Sequence, residues 1–203
     1  RPQQLPRTHI VCIVDRSGSM QPIADDAIGG YNSFLEKQQN LPGKAVVTLV
    51  LFDHEYTRFC SAVSIEQAPR LDHGSYVPRG TTALFDAIGR TIDDVRSAKE
   101  PARVAAENVI VVILTDGLEN ASTDYTHPVI AQMISAMHEE LGWEFVYLGA
   151  NQDAISVAAK MNIPAAASAS FDASAAGMRE AYSTMNEQVS FMRTSQRPTD
   201  DRE

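Results

Sequence analysis

The sequence predicts an open α/β sheet with helices on both faces. Three observations carry that prediction. Apolar runs of strand length alternate with amphipathic stretches of helix length. Only one pair of runs is joined by a turn too short for a crossover. Polar clusters follow the apolar runs, where ligand sites of such sheets lie. The 203 residues, 44% hydrophobic, suffice for one sizeable core. One domain over residues 8–195 is expected, with 1–7 as a flexible lead-in and 196–203 as a polar tail.

The first run, HIVCIV (9–14), is apolar on both faces, as a central parallel strand requires. Behind a Gly-Ser turn, Ile23, Ala27, Ile28, Tyr31, Phe34 and Leu35 recur at helical spacing. This helix is expected to begin near Gln21 and to end before Pro42 and Gly43. Gly29 and Gly30 fall inside it, where glycine permits close packing or a bend. Residues 45–52 form a second strand, Asp53, His54 and Glu55 a turn, and residues 56–63 a third, antiparallel strand. The stretch 64–80 reads as a long loop, a length that is often functional. A helix over 82–98 points Leu84, Ile88, Ile92 and Val95 inward, and 108–114 is the strongest strand in the chain. There follow a helix over 127–141, a strand over 143–148 with Trp143 and Phe145 in the core, and a short helix over 152–161. A weak edge strand over 165–169 and an alanine-rich helix over 173–192 complete the series.

Acidic residues outnumber Lys and Arg by 26 to 17, giving a formal charge of −9. That balance disfavours a broad nucleic-acid surface and favours cations. No segment is apolar enough for a membrane span, and no signal-type stretch precedes the first strand. Cys12 and Cys60 lie in apolar runs and read as buried thiols, with a disulfide between them as the alternative. These features lead to the expectation of an intracellular, cytoplasmic, bacterial protein, monomeric alone, unless a signal has been removed.

Three polar clusters stand out: DRSGS (15–19), GTT (80–82) and TDG (115–117). Asp15, Ser17, Ser19, Thr82 and Asp116 offer carboxylate and hydroxyl oxygens, with no His or Cys among them. An all-oxygen set suits a hard divalent ion, Mg²⁺ first, with Mn²⁺ and Ca²⁺ behind it. Alternation of Asp15, Ser17 and Ser19 lets an extended segment direct all three to one side. Each cluster alone also reads as a turn or a helix cap. Asp25, Asp26, Asp86 and Glu119 either add negative field or face solvent and cap helices.

Together these residues resemble the von Willebrand factor A domain family, whose metal-ion-dependent adhesion site combines Asp-x-Ser-x-Ser with a distant Thr and a distant Asp. DRSGS supplies Asp15, Ser17 and Ser19; RGTTALFDAI (79–88) supplies Thr82, with Thr81 as the alternative; ILTDGLEN supplies Asp116. The resemblance implies a three-layer, Rossmann-like sheet of about six strands in the order 3-2-1-4-5-6 with one antiparallel edge. It further implies that Ser17, Ser19 and Thr82 contact the ion directly, that Asp15 and Asp116 act through water, and that a partner's Asp or Glu completes the coordination. Specificity would then come from the loops 64–80 and 118–127.

The rival reading is a metal-dependent phosphoryl-transfer or hydrolytic enzyme. It lacks support: Ser17 stands where a second Asp would be needed, and no Ser-His-Asp set, GxSxG elbow, GxGxxG or Walker motif occurs. His54, His73 and His127 read as solvated turn or loop residues. A scaffold with a vestigial site is the third reading.

Overall fold

A computed structural model describes residues 7–98, 107–150 and 153–195. The expected lead-in through residue 6, the tail from 196, Lys99 and the start of the short helix at 152 lie outside these. Arg7, expected in the lead-in, begins the first strand.

Six strands form one sheet in the order β3-β2-β1-β4-β5-β6. They are β1 (Arg7–Asp15), β2 (Ala45–Phe52), β3 (Tyr56–Ser64), β4 (Glu107–Thr115), β5 (Glu144–Ala150) and β6 (Ser168–Phe171). Only β2 and β3 pair antiparallel; every other pair is parallel. The centre is β1, whose Ile10, Val11, Cys12 and Ile13 are wholly buried. The two-residue period sends Ile10, Cys12 and Val14 to one core and Val11 and Ile13 to the other. Helices α1 (Ala24–Gln39) and α5 (Ala175–Thr194) cover the first face. Helices α2 (Leu84–Ser97), α3 (His127–Leu141) and α4 (Ala154–Lys160) cover the second.

The close packing expected at the glycine pair occurs at Gly30, where a Cβ would lie 2.2 Å from Cδ2 of Tyr182 on α5. Several boundaries differ from expectation. A 3₁₀ turn over Gly18–Ile23, containing Pro22, precedes α1, so the α-helix starts at Ala24 rather than near Gln21. The next helix starts at Leu84, which leaves Thr82 in the loop before it. Trp143, fully buried, stands just before β5. A 3₁₀ turn takes Ala165–Ala167, and the edge strand begins only at Ser168.

The long loop after β3 is anchored to the core. Asn32 brackets Leu71, donating to its carbonyl and accepting from its N–H at 2.9 and 2.8 Å. Buried Tyr76 donates its hydroxyl to the carbonyl of Asp15 at 2.6 Å. Cys12 and Cys60 are both free thiols. Among the described residues, no helix is long and apolar enough to cross a membrane.

Candidate metal centre

The carboxyl ends of β1 and β4 lie side by side, Val14 opposite Leu114, and this register brings the loops behind them together. Asp15 closes β1 with its side chain fully buried. Its Oδ1 accepts from the N–H of Ser17 at 2.6 Å, and its Oδ2 accepts from the Thr115 hydroxyl at 2.6 Å. Ser17 and Ser19 share a hydrogen bond between hydroxyls at 3.2 Å. Ser19 Oγ donates to Asp116 Oδ1 at 2.8 Å, which ties the first loop to the one after β4. Gly117 leaves room beside this contact: a Cβ there would lie 3.2 Å from Thr82 Oγ1 and 3.9 Å from Ser19 Oγ. Asp15, Ser17, Ser19, Thr82 and Asp116 therefore sit in one cluster. Thr82 is buried and faces it, whereas Thr81 is exposed.

The cluster is held by main-chain contacts between loops. Arg79 N–H donates to the carbonyl of Arg16 at 2.9 Å, and Gly18 N–H to that of Gly80 at 3.1 Å. Gly80 adopts φ +67°, and a Cβ there would collide with the His54 ring at 2.1 Å, so glycine is required. Asn120 grips Thr82 from both sides: its Oδ1 accepts from Thr82 N–H at 2.9 Å, and its own N–H donates to the Thr82 carbonyl at 3.0 Å.

Glu119 accepts from the N–H of Phe85 in the first turn of α2, and from Ala121 N–H and both N–H and hydroxyl of Ser122. It thus caps a helix, as anticipated. Asp86 is instead buried, and accepts from the N–H groups of Thr123, Asp124 and Tyr125. Asp86, expected to add negative field, face solvent or cap a helix, and Asn120 are positioning residues whose role sequence reasoning missed; their trace is their place within ALFDAI and TDGLEN. Asp25 is exposed, and Asp26 pairs with Arg179 at 2.9 Å.

Burial sets the electrostatics. It pushes the Asp15 carboxyl up to about 6, against the opposing pull of the hydrogen bonds from Thr115 and Ser17. Burial raises Asp116 as well. Neither carboxylate has a basic partner among the described residues. Arg16, the basic residue of this loop, turns away: its Nε donates to Asp53 Oδ2 at 3.1 Å and its Nη2 to Thr57 Oγ1 at 2.8 Å. Two carboxylates short of positive charge, beside three hydroxyls, form a donor set that fits a hard divalent cation.

A second grouping lies at the end of β2, where Asp53, His54 and Glu55 bring potential ligand atoms within 4.8 Å of one another and could hold a metal. Here the positive charge is already supplied. Asp53 Oδ2 accepts from Arg16 and from Arg79 Nε at 3.0 Å, its Oδ1 accepts from Glu55 N–H, and Arg79 also pairs with Glu55. The oxygen cluster is the stronger metal candidate.

The histidines stand apart from both carboxylates of that cluster. His9 is buried on the Thr48 hydroxyl, and His138 bonds the Trp143 carbonyl. His54 and His73 are exposed, as expected of turn residues. His127, expected in an exposed loop, opens α3 half-buried, edge-on to Phe85 with ring centroids 5.8 Å apart.

Residues 9–170 match the von Willebrand factor type A domain. No curated protein sequence matches the chain. Among solved structures, the pilus adhesin SpaC from Lactobacillus rhamnosus GG superposes with a TM-score of 0.68 at 15% identity, over 91% of this chain and 31% of that one. Proximal thread matrix protein 1 from the mussel byssus, with a zinc-occupied MIDAS motif, gives 0.63 at 14% identity, over 94% of this chain and 48% of that one. The ArnB paralog VWA2 from Sulfolobus acidocaldarius gives 0.57 at 18% identity, over 89% and 44%. The chain spans less than half the length of these structures.

The expected cytoplasmic setting is corrected, because a byssal matrix protein and a pilus adhesin are secreted or surface proteins. The free cysteines do not decide the compartment: Cys12 is sealed in the core, and Cys60 is half-buried against the Val47 carbonyl. The six-stranded order, the single antiparallel edge and the match over residues 9–170 place this chain in the von Willebrand factor type A domain family.

Proposed function

We propose that the chain is a divalent-cation-dependent protein-binding module. Asp15, Ser17, Ser19, Thr82 and Asp116 hold the ion, and an Asp or Glu of a partner protein completes its coordination. The observation that carries this reading is the pair of carboxylates, Asp15 and Asp116, joined through Ser19 and Ser17 with no basic partner of their own among the described residues. Bound there, the ion supplies a Lewis-acidic positive charge that bridges two acidic surfaces. The chain's own residues orient that charge: Thr115 and Ser17 fix the Asp15 carboxylate, and Asn120 fixes Thr82. The oxygen-only donor set favours Mg²⁺, with Mn²⁺ and Ca²⁺ as alternatives. The domain is taken as residues 8–195.

Calorimetric titration of metal-free protein with Mg²⁺, Mn²⁺ and Ca²⁺, beside Asp15→Ala, tests the reading. Saturable binding in the wild type that disappears in the variant is expected. Equal binding by both proteins would move the site elsewhere, with the Asp53 grouping next in line.

A further inference from the structure

Five large apolar side chains are exposed among the described residues: Val77, Leu118, Val129, Ile155 and Phe191. Four of them lie in loops or first helical turns that follow the carboxyl ends of strands or run beside them. Val77 sits between Tyr76 and Arg79, which bond to Asp15 and Arg16. Leu118 follows Gly117 directly and is 63% exposed. Val129 and Ile155 occupy the first turns of α3 and α4. Exposed apolar groups mark an interaction surface where they border a hollow that can take a partner's side chain.

A hollow of about 210 Å³ opens beside the metal loop. Phe85, Leu118, Tyr147, Val157 and Met161 supply its apolar walls. It is built on the same two loops as the oxygen cluster, since Phe85 stands three residues beyond Thr82, Leu118 two beyond Asp116, and Glu119 joins the two by accepting from Phe85 N–H. Its polar rim departs from the charge of the whole. Glu119 has its carboxylate committed to Phe85, Ala121 and Ser122. Lys160 is exposed and pairs with no carboxylate among the described residues. His127 keeps a buried Nε2 without a hydrogen-bond partner. A net charge of −9 thus gives way, next to the ion site, to an apolar pocket with a free cation on its rim.

We infer that this hollow is a side-chain pocket for the same partner that ligates the ion. The occupant is an extended segment of a partner protein in which an apolar side chain neighbours the metal-ligating carboxylate, with a second acidic residue on Lys160. The ion and Lys160 both select acid; the hollow selects the residue between them. This inference rests on the metal-centre reading. An apolar side chain seated in a pocket discriminates by roughly 10- to 200-fold against its truncation, enough to turn a general carboxylate site into a selective one.

The test is a displayed library of random heptapeptides, bound to the protein in Mg²⁺ and eluted with EDTA. Wild type, a Leu118→Ser/Lys160→Gln variant and Asp116→Ala are compared; Leu118 and Lys160 are exposed and the replacements are uncharged, so the fold and saturable Mg²⁺ binding are expected to persist. The expected result is enrichment of acidic peptides with an apolar residue next to the acid. Recovery of those peptides should fall about ten-fold on the double variant. Enrichment of acids without an apolar neighbour, or recovery unaffected by the double variant, overturns the pocket and leaves the metal reading standing. EDTA elution from wild type no greater than from Asp116→Ala overturns the metal reading, and the pocket with it.

Discussion

Two aspartates lie fully buried at the same edge of the sheet, on neighbouring strands. Asp15 ends β1, and Asp53 follows its register partner Phe52 at the end of β2. Asp53 is surrounded by the means of its own neutralisation: Arg16 and Arg79 both reach its Oδ2, and Glu55 N–H reaches Oδ1. Among the described residues Asp15 receives hydroxyl and N–H donors but no cation, and burial pushes its carboxyl up to about 6. Arg16, the basic side chain next to it in sequence, is committed to Asp53. One acid is a completed part of the fold. The other is a charge the fold leaves to be balanced from outside, which is what a cation site requires.

The comparison breaks most sharply under substitution. Asp53→Ala strands a buried arginine and should cost about 3–5 kcal/mol of stability, read as a large drop in Tm. Asp15→Asn removes an uncompensated charge and keeps the Thr115 contact, so the metal-free protein should stay within about 1 kcal/mol of wild type. The order reverses when metal is added. At an Mg²⁺ concentration one hundred times Kd, wild type should gain about 2.7 kcal/mol, and Asp15→Asn should gain nothing. A metal-free Asp15→Asn protein as damaged as Asp53→Ala would show that both acids are structural.

Acidity sharpens the same contrast by a smaller amount. Asp15 holds its proton more tightly when folded, at about 6, than at the ordinary 3.8. Its contribution to the metal-free fold is therefore fully present below 3.8 and is lost as pH rises through about 6. Metal binding runs the other way, since the ion must displace that proton. The Mg²⁺-induced rise in Tm should be full at pH 7.5 and shrink as pH falls through about 6, a trend that Asp15→Asn should abolish.

Much of this was legible in the sequence because it is local. The alternation of apolar runs located all six strands, and the three-residue turn at 53–55 made β2 and β3 antiparallel. The clustering of the candidate oxygen residues was legible because each stands at the end of a strand, in the turn behind it or just before a helix. Their supports were not. Arg16 stands in the DRSGS loop among the candidate donors, and only the pairing of β1 with β2 shows that it serves Asp53. Asp86 looked like an exposed helix residue, because its partners are main-chain N–H groups 37 to 39 positions away. Main-chain partners carry no side-chain signature, so a residue that binds them looks unemployed until the loop is in place. The start of α1 was misjudged for a related reason: Pro22 tolerates a 3₁₀ turn as well as a first helical turn, and periodicity alone does not separate them.

The smallest expected effect concerns the residue that best separates a support from a donor. Asn120 touches no other member of the oxygen cluster, but it holds Thr82 through both main-chain groups, and only one of the two contacts uses its side chain. Asn120→Ala therefore leaves Thr82 N–H without its acceptor while the N–H of residue 120 keeps its own bond. The cost should be about 1 kcal/mol in Tm-derived stability. Mg²⁺ affinity should fall about ten-fold, as for other residues that orient a ligand without touching the ion. Thr81→Ala, at an exposed position one residue away, should change neither quantity. If Thr81→Ala weakened Mg²⁺ and Asn120→Ala did not, the donor from this loop would be Thr81. The contact between Asn120 and Thr82 would then belong, like Asp53, to the completed part of the fold.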